Sequence, residues 1–254
     1  MVERDGAVLR LTMNRPDAAN ALSMAGAQAM VEAATAADED ATIRCVVLTG
    51  EGRFFCAGGD IGGMASAEDG PGAHLKKLAG TFHVAVARLA RMNKPLVTVI
   101  NGPAAGAGVS IAALGDIALA ASSAHFTMAY GGIGLSPDGG ASWLLPRLIG
   151  LRRAQEMALT NRRVQAEEAA QIGLVTRVVA DEDLAAEAEK IIAQLAAGPT
   201  YAIGRTRRLL LEGMDRSFEA QLEAELQSIA DCARSPHGQE GIAAFLEKRK
   251  PDFR

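Results

Sequence analysis

Aromatic residues make up only 4% of this 254-residue chain, with one tryptophan and two tyrosines. The side chains on which single-stranded bases stack are therefore nearly absent. Basic charge is not in excess either: 26 Lys and Arg stand against 30 Asp and Glu, a formal net charge of −4, which disfavours a grip on a phosphate backbone. Cysteine is scarce. Cys45, Cys56 and Cys232 are odd in number and lack CxxC spacing, which argues against paired disulfides or a zinc or redox site. His74, His125 and His237 have no metal-ligand spacing. No apolar run reaches membrane-spanning length, and Met1 to Arg10 carries Glu3, Arg4 and Asp5 where a signal peptide has its apolar region. GxGxxG is missing, because Gly108 is followed three residues on by Ile111, and no GxxxxGK[ST] occurs. These absences lead us to expect a cytoplasmic protein with no metal, no nucleic-acid partner and no membrane partner.

What is present is a globular composition, 49% hydrophobic and 22% charged, enough for a sizeable core. About a fifth of the residues are alanine and 27 are glycine, and small side chains let a ligand approach backbone. Ala7–Met13, Ile43–Thr49, Leu96–Ile100, Ile117–Ala121 and Val175–Val179 read as strands, and Phe126–Tyr130 as extended. Ser23 sits as an N-cap for a helix to about Ala37. His74–Met92 has helical periodicity, with Leu75, Leu78, Phe82, Val86 and Leu89 on one stripe. Met64–Gly72 reads as a loose polar segment. Ala107–Leu114 reads as a short helix, and beyond Ser142 the chain is mainly helical. Gly198-Pro199 is a hinge candidate ahead of Tyr201–Glu212, Phe218–Ala233 and His237–Glu247. Extended segments alternating with helices imply an α/β fold with loops gathered on one side.

Two glycine-dense loops follow strands, Ala57-Gly58-Gly59-Asp60 and Gly106-Ala107-Gly108. Each alone serves as a turn or a tight packing point. Together they are able to aim two backbone N–H groups at one oxygen, the geometry of an oxyanion hole. Asp138, in Leu135-Ser136-Pro137-Asp138-Gly139-Gly140, is a candidate base or nucleophile, although Asp between Pro and Gly is also a common turn former. His83, beside Phe82, reads first as a packed core histidine. Ser110 lacks the Gly-x-Ser-x-Gly setting of a hydrolase nucleophile, and Cys56 reads as a small apolar filler.

Four ordered segments resemble the enoyl-CoA hydratase/isomerase (crotonase) superfamily. They are Leu11-Thr12-Met13-Asn14-Arg15-Pro16 with Asn20-Ala21-Leu22-Ser23, then Phe54-Phe55-Cys56-Ala57-Gly58-Gly59-Asp60-Ile61. The third runs from Lys94-Pro95 through Asn101-Gly102 and Gly106-Ala107-Gly108 to Gly115-Asp116, and the fourth is Phe245-Leu246-Glu247-Lys248-Arg249-Lys250-Pro251. The resemblance implies a spiral of ββα units over residues 1–198 and a C-terminal helical region, 199–254, that joins copies into a homotrimer or a dimer of trimers. It implies an acyl-CoA thioester substrate, with coenzyme A part of the substrate and no other cofactor. The N–H groups of Gly59 and Ala107 would hold the thioester oxygen as an enolate forms. Ala57, Gly59, Asp60 and Ile61 would line the channel, with Met64–Lys77 bordering the acyl pocket. Phe245 and Lys248 would help hold coenzyme A, often from a neighbouring subunit.

At the two positions where hydratases of this family carry glutamates, the chain has Ser110 and Tyr130, neither a strong base near neutral pH. A carboxylate returns at Asp138, which supplies the base in several family isomerases. The wording of Ile133–Gly140 with Trp143-Leu144-Leu145-Pro146-Arg147 is similar to the ring-1,2-epoxyphenylacetyl-CoA isomerase group. The expectation is therefore an isomerase with Asp138 as base, and with Tyr130, Ser110 and His83 shaping or polarising the acyl pocket. Three alternatives remain: hydration using Asp138, aryl-CoA dehalogenation with Asp138 as nucleophile, and a catalytically silent protein that binds CoA thioesters.

Overall fold

The structure, a computed structural model, describes residues 1–253. Its strands are β1 (Val2–Asp5), β2 (Val8–Met13), β3 (Cys45–Gly50), β4 (Leu96–Ile100), β5 (Ala104–Ala105), β6 (Ile117–Ala121), β7 (His125–Thr127), β8 (Val164–Gln165) and β9 (Arg177–Val179). The larger sheet has the order β1-β2-β3-β4-β6-β9, and β5-β7-β8 form a smaller one. Apart from the β1–β2 hairpin, every pairing in the larger sheet is parallel. Parallel neighbours need crossovers, and helices supply most of them: α1 (Met24–Glu39) between β2 and β3, then α2 (Ile61–Ala65) and α3 (Gly70–Arg91) before β4, and α4 (Ala107–Ala112) before β6. Between β4 and β9, successive turns of chain place one strand in each sheet, which is the spiral of ββα units expected.

Burial explains why these segments became strands. Cys45, Val46, Val47 and Leu48 of β3 and all five residues of β4 are buried, the continuous apolar run of a strand covered on both faces. The sequence reading of β4 and β6 agrees residue for residue. It omitted β1, which is fully exposed and carries three charges. It also omitted the two-residue strands β5 and β8, too short to show a period. Phe126–Tyr130 is extended only as β7, after which a 3-10 turn begins at Tyr130. Ser23 caps α1 as expected, its Oγ accepting from Gly26 N at 3.2 Å.

Met64–Gly72 is a correction. α2 continues to Ala65 and α3 begins at Gly70, so only four residues of that polar stretch lie outside helices. Asp60 starts α2, its Oδ1 accepting from Gly63 N at 3.1 Å, and this local cap outweighs the poor helix propensity of Gly62 and Gly63.

The remainder is helical: α5 (Ala141–Ile149), α6 (Leu151–Thr160), α7 (Ala166–Gln171), α8 (Leu184–Ala197), α9 (Thr200–Gly213), α10 (Phe218–Arg234) and α11 (Pro236–Leu246). α8 packs on β3, β4 and β6. Gly198-Pro199 is a clamped junction: the Arg44 guanidinium donates to Ala196 O and Phe253 O at 2.6 Å and to Gly198 O at 2.5 Å. Arg207 of α9 reaches under α3, where its buried guanidinium meets Leu89 O, Met92 O and Lys94 O and pairs with Asp116 at 2.5 Å. Among the described residues no helix is long and apolar enough to cross a membrane.

Candidate active site

The two glycine loops lie against each other. Ala105 N donates to Cys56 O at 2.8 Å, and Cys56 and Ala104 form an isolated parallel bridge. Gly58 (φ +105°) and Gly106 (φ +52°) meet at this contact, where a Cβ on Gly58 would stand 3.1 Å from Ala105 O and 3.6 Å from Gly106 Cα. Gly108 is more constrained still: its Cβ would fall 2.1 Å from Cys56 O. Packing and backbone presentation, the two readings of the small residues, are thus both true of these loops. Cys56 fills the space beneath them, fully buried, and burial pushes its thiol up to about 11.

Leu22 and Gly59 form a second parallel bridge. Leu22 N donates to Gly58 O at 2.7 Å and accepts at its own carbonyl from Asp60 N at 3.0 Å. A residue so bridged in a parallel pair exchanges bonds with the neighbours of its partner, so the N–H of Gly59 itself points the other way. Ala107 is the first residue of α4 and has no intrahelical acceptor for its N–H. Among the described residues neither N–H has a backbone acceptor outside the regular elements. Gly59 and Ala107 both line one cavity of about 360 Å³, together with Ala57, Ile61, Tyr130 and Asp138.

Asp138 lines the same cavity as these loops, and its turn is tied at four points. Tyr130 Oη donates to Asp138 Oδ1 at 2.6 Å, and Ser110 Oγ donates to the Asp138 carbonyl at 2.9 Å. Ala141 N also donates to that carbonyl, at 3.2 Å, and Gly139 N donates to His83 Nε2 at 3.1 Å. Gly139 has φ +61°, and a Cβ there would lie 2.5 Å from Phe82 Cε1 and 2.9 Å from Ser110 Cβ. The turn former and the candidate base are therefore the same residue. Burial, followed by the charge of Asp138, holds the Tyr130 phenol above its ordinary range, so it stays a donor. Elsewhere the wall is apolar, formed by Leu22, Met64, Leu75, Leu78, Phe82 and Leu135. Lys76 and Asp138 are the charged residues among the described lining.

Several expected site residues stand elsewhere. The Asp60 carboxylate turns away from the cavity, accepting from Gly63 N and from Arg15 Nη1 at 2.9 Å. Those two bonds hold it below the usual carboxylate range. Ser110 is fully buried behind the Asp138 turn rather than in the cavity. His83 is neither a packed core residue nor a wall of this cavity: it is exposed and lines a neighbouring cavity with Trp143 and Leu144. Phe245, 82% exposed, and Lys248 lie outside the cavity of their own chain. Met64, Leu75 and Lys76 border it as expected. Leu22 was not foreseen; only its position before the N-cap Ser23 hinted at a fixed loop. Asn20 was also missed as a clamp: its Nδ2 donates to Glu51 O at 2.9 Å and Phe54 O at 2.6 Å, and its Oδ1 accepts from Arg15 N at 2.9 Å.

Comparison with known proteins matches this architecture. Residues 3–254 match the family model for enoyl-CoA hydratase/isomerase. The chain is 39% identical to the 1,2-epoxyphenylacetyl-CoA isomerase of Escherichia coli K12, over 97% of this chain and 94% of that one. It is 35% identical to 4-chlorobenzoyl coenzyme A dehalogenase-2 of an Arthrobacter species, over 97% and 90%. The crystal structure of an enoyl-CoA hydratase from Polaromonas sp. JS666 superposes with a TM-score of 0.91 at 35% identity, covering 100% of this chain and 99% of that one. The chain belongs to the enoyl-CoA hydratase/isomerase family.

Proposed function

We propose that this enzyme is an acyl-CoA isomerase with Asp138 as its proton-shuttling base. The observation that carries the reading is the single carboxylate among the described lining, in one cavity with two loops whose Gly59 and Ala107 N–H groups are free of regular pairing. The thioester carbonyl oxygen accepts from both N–H groups. Asp138 takes a proton from the carbon alpha to that carbonyl, and the electron pair of the broken C–H bond moves onto the oxygen as an enolate. Asp138 then returns the proton to a different carbon, so a double bond moves or a ring rearranges with no net gain or loss of atoms. Preorganised donors of this kind are each worth about 100-fold or more in rate. No electrons are exchanged, and the reaction needs no group beyond the coenzyme A that the substrate carries.

Hydration requires a second group to activate water. Tyr130 is the nearest partner of Asp138, and its proton is already donated to that carboxylate. For dehalogenation, a histidine in the cavity would have to act on an arylated Asp138, but His83 stands outside the described lining. Both features support isomerisation over hydration and dehalogenation. The apolar wall suits an uncharged acyl group.

The exposed stripe Phe218, Leu222, Leu226 and Ile229 on α10, with Phe245 and Leu246 on α11, supports assembly of copies through residues 199–254 into a trimer or a dimer of trimers. Such assembly would bring Phe245 and Lys248 of one copy to the coenzyme A bound by another. Analysing the products of an acyl-CoA panel in deuterated water tests the reaction class, with Asp138→Asn as the control.

A further inference from the structure

His83 is on the far side of the Asp138 turn from the acyl cavity, yet it is joined to that turn by one hydrogen bond. Its Nε2 accepts from Gly139 N at 3.1 Å, so the ring is in the tautomer that carries its proton on Nδ1. Gly139 is the residue after the proposed base. Its own conformation has no slack, because φ is +61° and a Cβ would press on Phe82 and Ser110. We infer that His83 is a positioning residue for Asp138, and that its neutral form holds the Asp138-Gly139 turn in place.

The inference rests on Asp138 as base, and it follows from donor–acceptor chemistry. A protonated imidazole presents N–H at both nitrogens and opposes the Gly139 N–H donor to donor. The turn then loses one of its four ties and must shift or expose Gly139. A buried donor left unmatched costs more than the bond it had formed.

The groups around the ring leave this bond as its visible role. Arg91 of α3, Glu212 of α9 and Asp215 beyond it share the neighbouring cavity. Glu212 is paired with Arg208 at 3.1 Å and also with Arg216, and Asp215 is paired with Arg147 of α5 at 3.2 Å. On the turn itself the charged group is Asp138, whose carboxylate is taken by Tyr130. The ring therefore touches the turn from outside the cavity of Asp138, through one backbone amide.

The test uses the full chain, with His83→Phe and His83→Gln. The Gln side chain places an oxygen acceptor near the position of Nε2 and does not titrate. The probe is trans-3-hexenoyl-CoA, with formation of the conjugated isomer as the rate, and amide NMR follows Gly139 across pH. In the wild type the Gly139 amide resonance should move with the His83 titration, and in H83Q it should stay fixed. H83F should lower kcat about tenfold with KM little changed, the loss of one amide hydrogen bond. H83Q should recover most of that kcat and flatten the acid side of its profile. A Gly139 amide indifferent to His83 protonation, or wild-type kcat in H83F, overturns the inference. Undiminished turnover in Asp138→Asn instead overturns the isomerase reading, whatever the amide does.

Discussion

Tyr130 Oη donates a 2.6 Å hydrogen bond to Asp138 Oδ1 in the cavity lined by Gly59 and Ala107. Eight residues separate the two in sequence, and the 3-10 turn at Tyr130–Ile133 brings the chain back, closed by Leu135 N donating to Tyr130 O at 2.9 Å. The phenol is thus the group that holds the carboxylate, in the cavity that Gly59 and Ala107 also line.

Tyr130→Phe removes this bond while keeping the ring. A hydrogen bond to a charged group is worth about 1.5–3 kcal/mol, so kcat should fall by about ten- to a hundredfold with KM changed much less. The pH dependence of stability has a definite sign. The Tyr130 phenol is held above its ordinary range by burial and by Asp138, so above about pH 10 the unfolded chain releases a proton that the folded one keeps. The stability lent by Tyr130 is present below that pH and lost as pH rises above it. Denaturant midpoints of wild type and Tyr130→Phe should therefore converge above pH 10, and a gap that widens there contradicts the assignment.

Gly139→Ala should be among the most damaging single changes at the turn. Its Cβ would overlap Phe82 Cε1 at 2.5 Å, in a backbone region that alanine avoids. A loss of about 1–3 kcal/mol in stability should accompany a fall in kcat larger than that of Tyr130→Phe. Urea unfolding and steady-state kinetics on the same preparation check both.

Arg207→Met leaves three backbone carbonyls and Asp116 without their buried cation. Removing one partner of a buried ion pair costs about 3–5 kcal/mol. Thermal unfolding should show a marked fall in Tm. A variant as stable as wild type would mean that α9 is not anchored through this residue.

Burial raises the thiols of Cys45 and Cys56 to about 12 and about 11. At pH 8 neither should react with an aromatic disulfide reagent in the folded protein, since the thiolate is the nucleophile. At most one thiol per chain, Cys232, should titrate, and all three on denaturation. Fast reaction of two or more thiols in the native state contradicts this packing.

Much of the frame was legible because β4 and β6 are apolar runs bounded by turn residues, and because Ser23 is a cap where the sequence places one. The small-residue loops were legible too, since Gly58, Gly106 and Gly108 occupy positions where a Cβ meets backbone. What escaped were relations between distant segments. Asp60 and Ser110 belong to motif segments or positions associated with the site, yet their polar atoms are used by Arg15, Gly63 and the Asp138 carbonyl. His83 sits next to Phe82, which lines the cavity of Asp138. One helical step turns a side chain by about a quarter of the circle, and that step carries His83 out to the other cavity. Hydrophobic periodicity marks the stripe but not which polar neighbour lies across its boundary.

The central claim is that Asp138 shuttles a proton within an acyl-CoA while Gly59 and Ala107 hold the oxygen. It is tested most directly by incubating wild type and Asp138→Asn with a panel of enoyl-, ring-bearing and aryl-CoA thioesters in deuterated water, and reading product mass and deuterium position. The account predicts an isomer that has gained no water and lost no group, with deuterium confined to the carbons alpha and gamma to the thioester carbonyl and entering only as the Asp138 proton exchanges with solvent, and with turnover lost in Asp138→Asn. A product that has gained water or lost halide, or an Asp138→Asn enzyme with undiminished turnover, would contradict it.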